Sequence, residues 1–300
     1  MKNNEAVIEI QNLVRTYGKT DAVNGLNLRV ERGRCYGFFG RNGAGKTTTI
    51  KCLLNLLKPT SGSIRVFGVD PARDEVEIKS RLAYVPDQVS FYPWMTVQDT
   101  LAYLASFRKH WNRDLEQQLL KQFGLKTSLK SGTLSKGQKT QVALIAAICP
   151  EPELLVLDEP TSGLDPIVRR DFIRTVIGAY QDSDPGNRTI LVSTHLISEF
   201  EGLIDDFTII DGGREVLTMS ADAARQRFQK VYARFTGPLP QLELQDTVVT
   251  RRNGCELELV TLDQPEAVLN RLRQPTMDKL ESHALSLEEI FVTTLQDKQR

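Results

Sequence analysis

The chain has 300 residues, of which 40% are hydrophobic and 25% are charged, a length and composition that suit a soluble globular protein with a sizeable core. Its 38 Lys and Arg residues equal its 38 Asp and Glu residues, so the charge gives no support to a strongly basic nucleic-acid-binding surface. We expect no signal peptide at the N-terminus, and no run approaches the roughly 18 apolar residues that a membrane span needs.

Two segments near the N-terminus, 6–13 and 22–30, alternate apolar and polar residues and predict strands. A glycine-rich turn follows, with the sequence Gly-Arg-Asn-Gly-Ala-Gly-Lys-Thr over residues 40–47. The mostly apolar run 34–39 before it predicts a buried strand, and the run 47–58 after it has apolar residues at helical spacing. This order of strand, loop and helix is the context in which a phosphate-binding loop is found.

The residue types of this loop suit the binding of a nucleoside triphosphate. Phosphate oxygens must reach consecutive backbone N–H groups, and side chains at three positions would block that approach: Gly40, Gly43 and Gly45. The positive end of the helix faces the same phosphates. Lys46 is placed to neutralise the β- and γ-phosphates, and the Thr47 hydroxyl to bind Mg²⁺. Tyr17, on a turn between the first two strands, either stacks on adenine or packs as an ordinary aromatic residue.

The next segments predict short elements and one loop rich in aromatic residues. Residues 64–67 predict a strand, 76–81 a helix and 82–86 a buried strand, after which Asp87 and Gln88 follow. Residues 91–94, Phe-Tyr-Pro-Trp, form a dense aromatic cluster that is either a local core plug or a docking surface.

Residues 96–125 are expected to be largely helical, with a capping box in which Thr96 caps the helix and Asp99 lies three residues on. This helical insertion precedes Leu-Ser-Lys-Gly-Gln at residues 134–138 and a helix over 139–149. Ser135 is suitably placed as the N-cap of that helix. The helix start is either an ordinary cap or a second anion site.

Two carboxylates follow the fully apolar strand 154–157. In open α/β sheets ligands bind at the carboxyl ends of the strands, so Asp158 is expected to hold Mg²⁺, directly or through water. Glu159 is expected to orient or deprotonate the attacking water. A turn at 162–166 begins a helix over 167–180, and the buried strand 189–193 ends beside His195, which could contact the γ-phosphate or the water.

From about residue 219 the sequence pattern changes. It predicts an α+β appendage with helices at 221–229, 265–272 and 285–295 and strands at 231–235, 247–251 and 255–261, and it contains no group of residues that suggests a reaction. The four cysteines of the chain show no paired metal-ligand spacing, and we expect free buried thiols in a reducing cytoplasm.

Taken together, these segments resemble the ATP-binding subunit of an ABC transporter over about residues 6–218. The residues that carry the resemblance are Tyr17 for the adenine-stacking aromatic, Gly40, Asn42, Gly43, Ala44, Gly45, Lys46, Thr47 and Thr48 for Walker A, Ser135, Lys136, Gly137 and Gln138 for the signature, Asp158 and Glu159 for Walker B, Asp165 for the D-loop and His195 for the switch histidine. The signature is the most specific of these, because other P-loop enzymes lack it.

The resemblance implies a fold, cofactors and partners. It implies an α/β P-loop NTPase core of ABC type over residues 1–218, with an antiparallel β-subdomain and a helical subdomain at about 90–150, and a C-terminal α+β domain over 219–300. It implies ATP and Mg²⁺, the metal held by Thr47, Asp158 and Gln88. Two copies, identical or related, would sandwich two ATP molecules, with the signature of one contacting the γ-phosphate held by the other.

The same resemblance implies a place in the cell. The subunit would lie at the cytoplasmic face of the membrane and bind a separate permease through the Q-loop and the helical subdomain, driving solute export. Ser-Lys-Gly in the signature and the tail 286–291 resemble the drug- and antibiotic-export branch. The alternative is a soluble ABC ATPase that acts on ribosomes or DNA. Neutral charge and a single nucleotide domain disfavour it, so no nucleic acid is expected.

Two positions depart from the family pattern. Lys136 stands in the signature where glycine is common. The Q-loop glutamine of the family falls on Asp87, with Gln88 one place later, and either residue could reach the metal and the water.

Overall fold

The computed structural model describes residues 5–162, 164, 169, 173, 180, 184, 186–240 and 244–297. The chain divides into two compact units, Met1–His195 with Ile210–Glu215, and Leu196–Ile209 with Val216–Arg300. In the described ranges, no helix is both long and apolar enough to cross a bilayer. The boundary at residue 218 between two domains stays a prediction.

Four parallel strands of the first unit belong to a six-stranded sheet. They are β3 (Cys35–Gly40), β5 (Leu82–Val85), β6 (Leu154–Asp158) and β7 (Thr189–Thr194), in the order β5-β6-β7-β3. All residues of β3, β6 and β7 are buried, which explains why they read as continuous apolar runs. The predicted buried strands are therefore confirmed.

An antiparallel subdomain is formed by β1 (Ala6–Tyr17), β2 (Thr20–Glu31) and β4 (Ser61–Val66), in the order β2-β1-β4. The apolar face of these strands joins the main core of the unit. The expected antiparallel β-subdomain is confirmed, although β1 and β2 are longer than the sequence indicated and β4 begins within the predicted turn.

The helix after the glycine-rich turn, α1 (Lys46–Leu53), is shorter than predicted. It ends early because Asn55 takes a left-handed φ of 55°, which interrupts the helix before Pro59 is reached. Helix α2 (Glu75–Arg81) agrees with its prediction.

The helical part contains α3 (Val97–Ala105), α4 (Arg113–Gln122), a 3₁₀ turn at Ser131–Thr133 and α5 (Lys136–Ile148). The expectation that residues 96–125 are largely helical is confirmed, with an interruption at residues 106–112, where the chain turns and Asn112 begins a new helix as N-cap. The predicted capping box of Thr96 and Asp99 is confirmed. These helices share a separate apolar cluster that includes Val97, Leu119 and Val142.

The remaining elements are β8 (Asp206–Asp211), β9 (Arg214–Ser220), α6 (Ile197–Phe200), α7 (Ala221–Arg227), β10 (Gln229–Phe235), β11 (Thr247–Asn253), β12 (Glu256–Thr261), α8 (Pro265–Leu272), β13 (Met277–Ala284) and α9 (Leu287–Asp297). Most follow the predictions within a few residues, but β9 and β13 were not predicted. The predicted helix at 167–180 lies largely outside the described residues.

The second unit contains a four-stranded antiparallel sheet of order β11-β12-β10-β13. Helix α8 covers one face through Val268, Leu269 and Leu272, which pack with the apolar side of β10 and β12. The opposite face carries cross-strand charge pairs such as Lys230 with Glu258 and Arg234 with Asp278. The predicted α+β character of this region is thus confirmed.

An ion-pair network at Glu153 connects three parts of the first unit just before β6. Arg81, at the end of α2, donates to both carboxylate oxygens at 2.6 and 3.0 Å, and Arg32, after β2, donates to one of them at 2.8 Å. These hydrogen bonds to Arg81, partly opposed by burial, lower the pKa of Glu153 to about 2.

We predict that Glu153→Gln lowers the free energy of unfolding at pH 7 by about 1 kcal/mol. This value is kept small because the Glu153 side chain is partly exposed and solvent screens its ion pairs. A lowered folded pKa contributes stability above the ordinary Glu pKa, and this stability is lost as the pH falls toward 2. The difference between wild type and variant should therefore shrink between pH 5 and pH 3 in urea unfolding. A difference that stays constant over this range would contradict the assignment.

Candidate active site

Three parallel strands end at one edge of the sheet, and their last residues are aligned. Phe39 of β3 is opposite Thr194 of β7, and Asp158 of β6 is opposite Ser193. The loops that follow these strands therefore begin side by side, in the region where open α/β sheets bind ligands.

The glycine-rich loop needs its glycines for two reasons. Gly43 and Gly45 take left-handed φ angles of 82° and 106°, which side chains disfavour. A Cβ atom on Gly45 would lie 2.4 Å from the carbonyl oxygen of Ala22, and one on Gly40 would lie 2.8 Å from that of Ile210. The close packing of the loop thus depends on these two residues.

The loop leads directly into helix α1, whose N-cap is Gly45. In the described chain this helix has no side-chain cap and no acidic residue in its first turn. Its N-terminal dipole is therefore not offset by a carboxylate on the helix itself, which suits an anion. Asn42 is exposed in the loop, Ala44 is buried, and Thr48 is half-buried in the first turn.

The Lys46 side chain is only 6% exposed and curls back over the loop. Its ammonium group donates to the carbonyl of Gly40 at 2.7 Å and lies 3.1 Å from Oε1 of Glu159. The sequence separates these two charges by 113 positions, but the strand ends bring them together. A phosphate group approaching the loop would meet a lysine whose counter-ion is a carboxylate.

Asp158 is fully buried at the end of β6. Thr47 Oγ1 donates to one carboxylate oxygen at 2.8 Å, and Ser193 Oγ donates to the other at 2.9 Å. Burial raises the pKa of Asp158, and the two hydroxyl donors oppose that effect only in part.

The Thr47 hydroxyl and the Asp158 carboxylate fit Mg²⁺ chemically, because this ion prefers oxygen ligands and takes one or two from protein beside those of phosphate. Among the described residues there is no group of three or more His, Cys, Asp or Glu side chains that could hold a metal alone. A cation here would thus need oxygens from the nucleotide or from water.

Glu159 is held in an unusual conformation beside Asp158. Its φ is 48°, a left-handed value that is uncommon for a residue with a side chain and often marks a functional site. Oε2 accepts from Thr194 Oγ1 at 3.1 Å and lies 2.9 Å from His195 Nδ1, which donates when it carries the ring proton. Oε1 is the ion-pair partner of the Lys46 ammonium at 3.1 Å, although no hydrogen bond of good geometry reaches it from the described residues. One oxygen is therefore held by Thr194 and His195, and the other faces the charge of Lys46.

Ser193 and Thr194 were not singled out from the sequence as site residues. The signal was present as two hydroxyl residues at the end of an apolar strand. Because successive strand residues point to opposite faces, Ser193 contacts Asp158 while Thr194 contacts Glu159.

The signature segment caps helix α5 within its own chain. Ser135 Oγ accepts from the backbone of Gln138 at 3.1 Å, and the Gln138 side chain accepts from the backbone of Ser135 at 3.0 Å. A Cβ atom on Gly137 would lie 2.9 Å from Leu164. The ordinary cap is thus present, and a second anion site at this helix start stays a prediction.

The contacts of the remaining predicted site residues are with residues outside the phosphate loop. Tyr17 is exposed at the end of β1, with the Arg15 guanidinium 4.7 Å from its ring centre. Asp87 pairs with Lys136, and Gln88 is exposed. Asp165 lies outside the described residues.

The aromatic residues at 91–94 do not all have the same environment: one packs in the core, and two are exposed as a docking surface requires. Phe91 packs against the apolar cluster of the helical part, as a plug would. Tyr92 and Trp94 are exposed, and their rings continue through Tyr103 to Phe107 with successive centroid distances of 5.0, 6.0 and 5.0 Å. These four rings form an exposed aromatic ladder.

Residues 23–162 match the protein family described as ABC transporter. The bacitracin transport ATP-binding protein BcrA of Bacillus licheniformis is 36% identical over 226 residues, which cover 75% of this chain and 73% of that protein. The Nod factor export ATP-binding protein I of Burkholderia pseudomallei is 31% identical over 303 residues, covering 96% of each. The chain belongs to the ATP-binding subunits of ABC transporters.

A solved ATP-binding subunit of an ABC transporter has the same fold, with a TM-score of 0.66 and 28% identity over 73% of this chain and 92% of that one. The ABC-type P-loop fold expected from the motifs is therefore confirmed, and as an ABC ATPase the chain binds and hydrolyses ATP. Nothing in these similarities favours the alternative of a soluble ATPase acting on ribosomes or nucleic acid.

We predict that Asp158→Asn stabilises the ABC subunit in buffer without nucleotide while it impairs ATP hydrolysis. Because the folded pKa is raised, the ionised carboxylate opposes folding at neutral pH, and this penalty disappears as the pH falls and the group is protonated. A gain of about 1 kcal/mol corresponds to a rise in Tm of about 2–4 °C. Asp222→Asn, which changes an exposed carboxylate, serves as the control and should leave Tm nearly unchanged. A lower Tm for Asp158→Asn would contradict the prediction.

Proposed function

We propose that this ABC ATPase is the motor subunit of an exporter, lying at the cytoplasmic face of the membrane and driving a separate permease. The observation that carries the proposal is the convergence of Lys46, Asp158 and Glu159 at one sheet edge. Relatives named for bacitracin transport and for Nod factor export support the export direction.

We infer that Lys46 and the glycine-rich loop bind the triphosphate. The buried ammonium supplies positive charge in a region screened from water, where it acts more strongly than at the surface. We assign adenine to the exposed face of Tyr17. Thr47, Asp158 and Gln88 would hold Mg²⁺, which supplies electrostatic stabilisation of the charge that develops on the phosphates.

We assign Glu159 as the general base that accepts a proton from the attacking water. We assign Oε1 as the acceptor, because Oε2 is engaged by Thr194 and His195, and Oε1 becomes available when the triphosphate takes over the Lys46 ammonium. His195 acts as the residue that orients this carboxylate.

A second copy of this chain or of a related subunit would complete the site. Ser135, Gly137 and the N-terminal dipole of α5 suit an anion that the same chain does not supply. ATP binding would then close the dimer, and hydrolysis would open it.

We place the permease contact on the aromatic ladder of Tyr92, Trp94, Tyr103 and Phe107. Four exposed aromatic rings that contact one another in succession form an exposed apolar patch, which favours a protein partner. A cavity of about 630 Å³ lies beside Phe107, lined also by the exposed side chains of Leu56 and Val76.

We predict that Glu159→Gln lowers steady-state ATP hydrolysis by about 100-fold or more, the usual contribution of a general base, while ATP still binds and a dimer forms. Tagged Glu159→Gln, treated with Mg-ATP in native membranes and then solubilised, should co-purify with a multi-span membrane protein. Unchanged hydrolysis would contradict the assignment of Glu159.

The docking surface is tested in the same experiment. Adding Trp94→Ser to the Glu159→Gln chain should reduce recovery of the membrane protein but not the ATP-dependent dimer. Val249→Ser, which removes an exposed apolar side chain from β11, is the matched control. Recovery of ribosomes or DNA with no membrane protein would contradict the proposed function.

A further inference from the structure

The two positions at which the motifs depart from the ABC pattern are in direct contact. Lys136 and Asp87 are 49 residues apart in the sequence, yet the lysine ammonium donates to Asp87 Oδ1 at 3.3 Å. The same ammonium donates to Ser162 Oγ at 3.2 Å. A cation in place of the signature glycine is thus matched by an anion at Asp87, which with Gln88 is one of the two candidates for the Q-loop position.

The contact has an electrostatic reason. Lys136 is the first residue of α5, where the helix dipole places partial positive charge and disfavours a cation. The first turn of α5 contains no acidic residue that would offset this charge. Among the described residues, Asp87 is the carboxylate that pairs with Lys136, and it comes from the loop after β5. The pair therefore relieves a charge conflict that the Lys136 position itself creates.

The Ser162 contact links the pair to the turn that follows Glu159. The Ser162 N–H donates to the Glu159 carbonyl at 3.0 Å, so its hydroxyl belongs to the same tight turn. Lys136 thus connects the start of α5, the loop after β5 and the turn after the assigned general base.

We propose that Asp87 is a positioning residue that holds the Lys136 ammonium within one copy of the chain, and that the triphosphate held by a second copy competes with Asp87 for it. This inference rests on the dimer of the proposed function. A triphosphate carries more negative charge than one carboxylate, and the pair is half-exposed, so it separates at low cost. The pair therefore raises the ATP concentration at which the dimer closes.

The test measures the Mg-ATP concentration that gives half-maximal dimer formation, using the full chain with Glu159→Gln and analytical ultracentrifugation. Asp87→Asn should lower this concentration by about twofold to fivefold, the range that corresponds to an exposed ion pair. Lys136→Gly should raise it, because a cation beside the phosphate is lost. In the Lys136→Gly background, Asp87→Asn should have no further effect.

The pair of Lys79 and Glu75 on α2 supplies a matched control, since its exposure is similar and it lies outside the site. Glu75→Gln should leave the ATP requirement unchanged. Asp87→Ser serves as a second variant if Asp87→Asn does not fold, and thermal unfolding checks both.

An unchanged or higher ATP requirement in Asp87→Asn would overturn the inference, because a structural or metal-binding role of Asp87 predicts that direction. An equal decrease with and without Lys136 would also overturn it, since the effect would then not pass through the lysine. Absence of any ATP-dependent dimer in the Glu159→Gln chain would instead overturn the proposed function. The two failures are thus distinguishable.

Discussion

The ion pair between Lys46 and Glu159 is the interaction on which the phosphate site depends. Both side chains are largely buried, and a buried charge without a partner costs several kcal/mol. The pairing is possible only because β3 and β6 end at the same edge of the sheet, which places the phosphate loop next to the turn after Asp158. A triphosphate that binds Lys46 must therefore change the environment of the residue we assign as general base. Phosphate binding at Lys46 and proton acceptance at Glu159 are therefore connected through this ion pair.

The two adjacent carboxylates have different environments because the backbone turns between them. Asp158 is the last residue of an extended strand and is enclosed by hydroxyl donors, whereas Glu159 takes a left-handed φ and contacts the end of the neighbouring strand. Burial raises the pKa of Asp158, so the folded chain is less stable than it would be with a neutral residue there. Stability given up at a functional position is common in enzymes.

Much of the first unit could be predicted from the sequence, since its strands are continuous apolar runs and its phosphate loop has a fixed pattern. Strand β13 was not predicted because it is an edge strand with mostly exposed residues, and only Met277 and Leu280 indicate its apolar side. Helix α1 was predicted too long because the left-handed conformation of Asn55 has no clear signal in the sequence. The contact between Lys136 and Asp87 joins segments 49 residues apart, so the fold had to be known first. The contacts of Thr194 and His195 with Glu159 likewise join residues that are far apart in the sequence, so they could not be predicted without the fold.

The central claim is that two copies of the chain share each ATP site, and mixing two inactive variants tests it most directly. Lys46→Ala removes the phosphate-binding lysine, and Ser135→Ala removes the hydroxyl that would contact the ATP of the other copy. In a mixed dimer one site regains both residues, one from each copy. The account predicts that an equal mixture hydrolyses ATP faster than the sum of the two variants measured alone. A mixture no faster than that sum would contradict it.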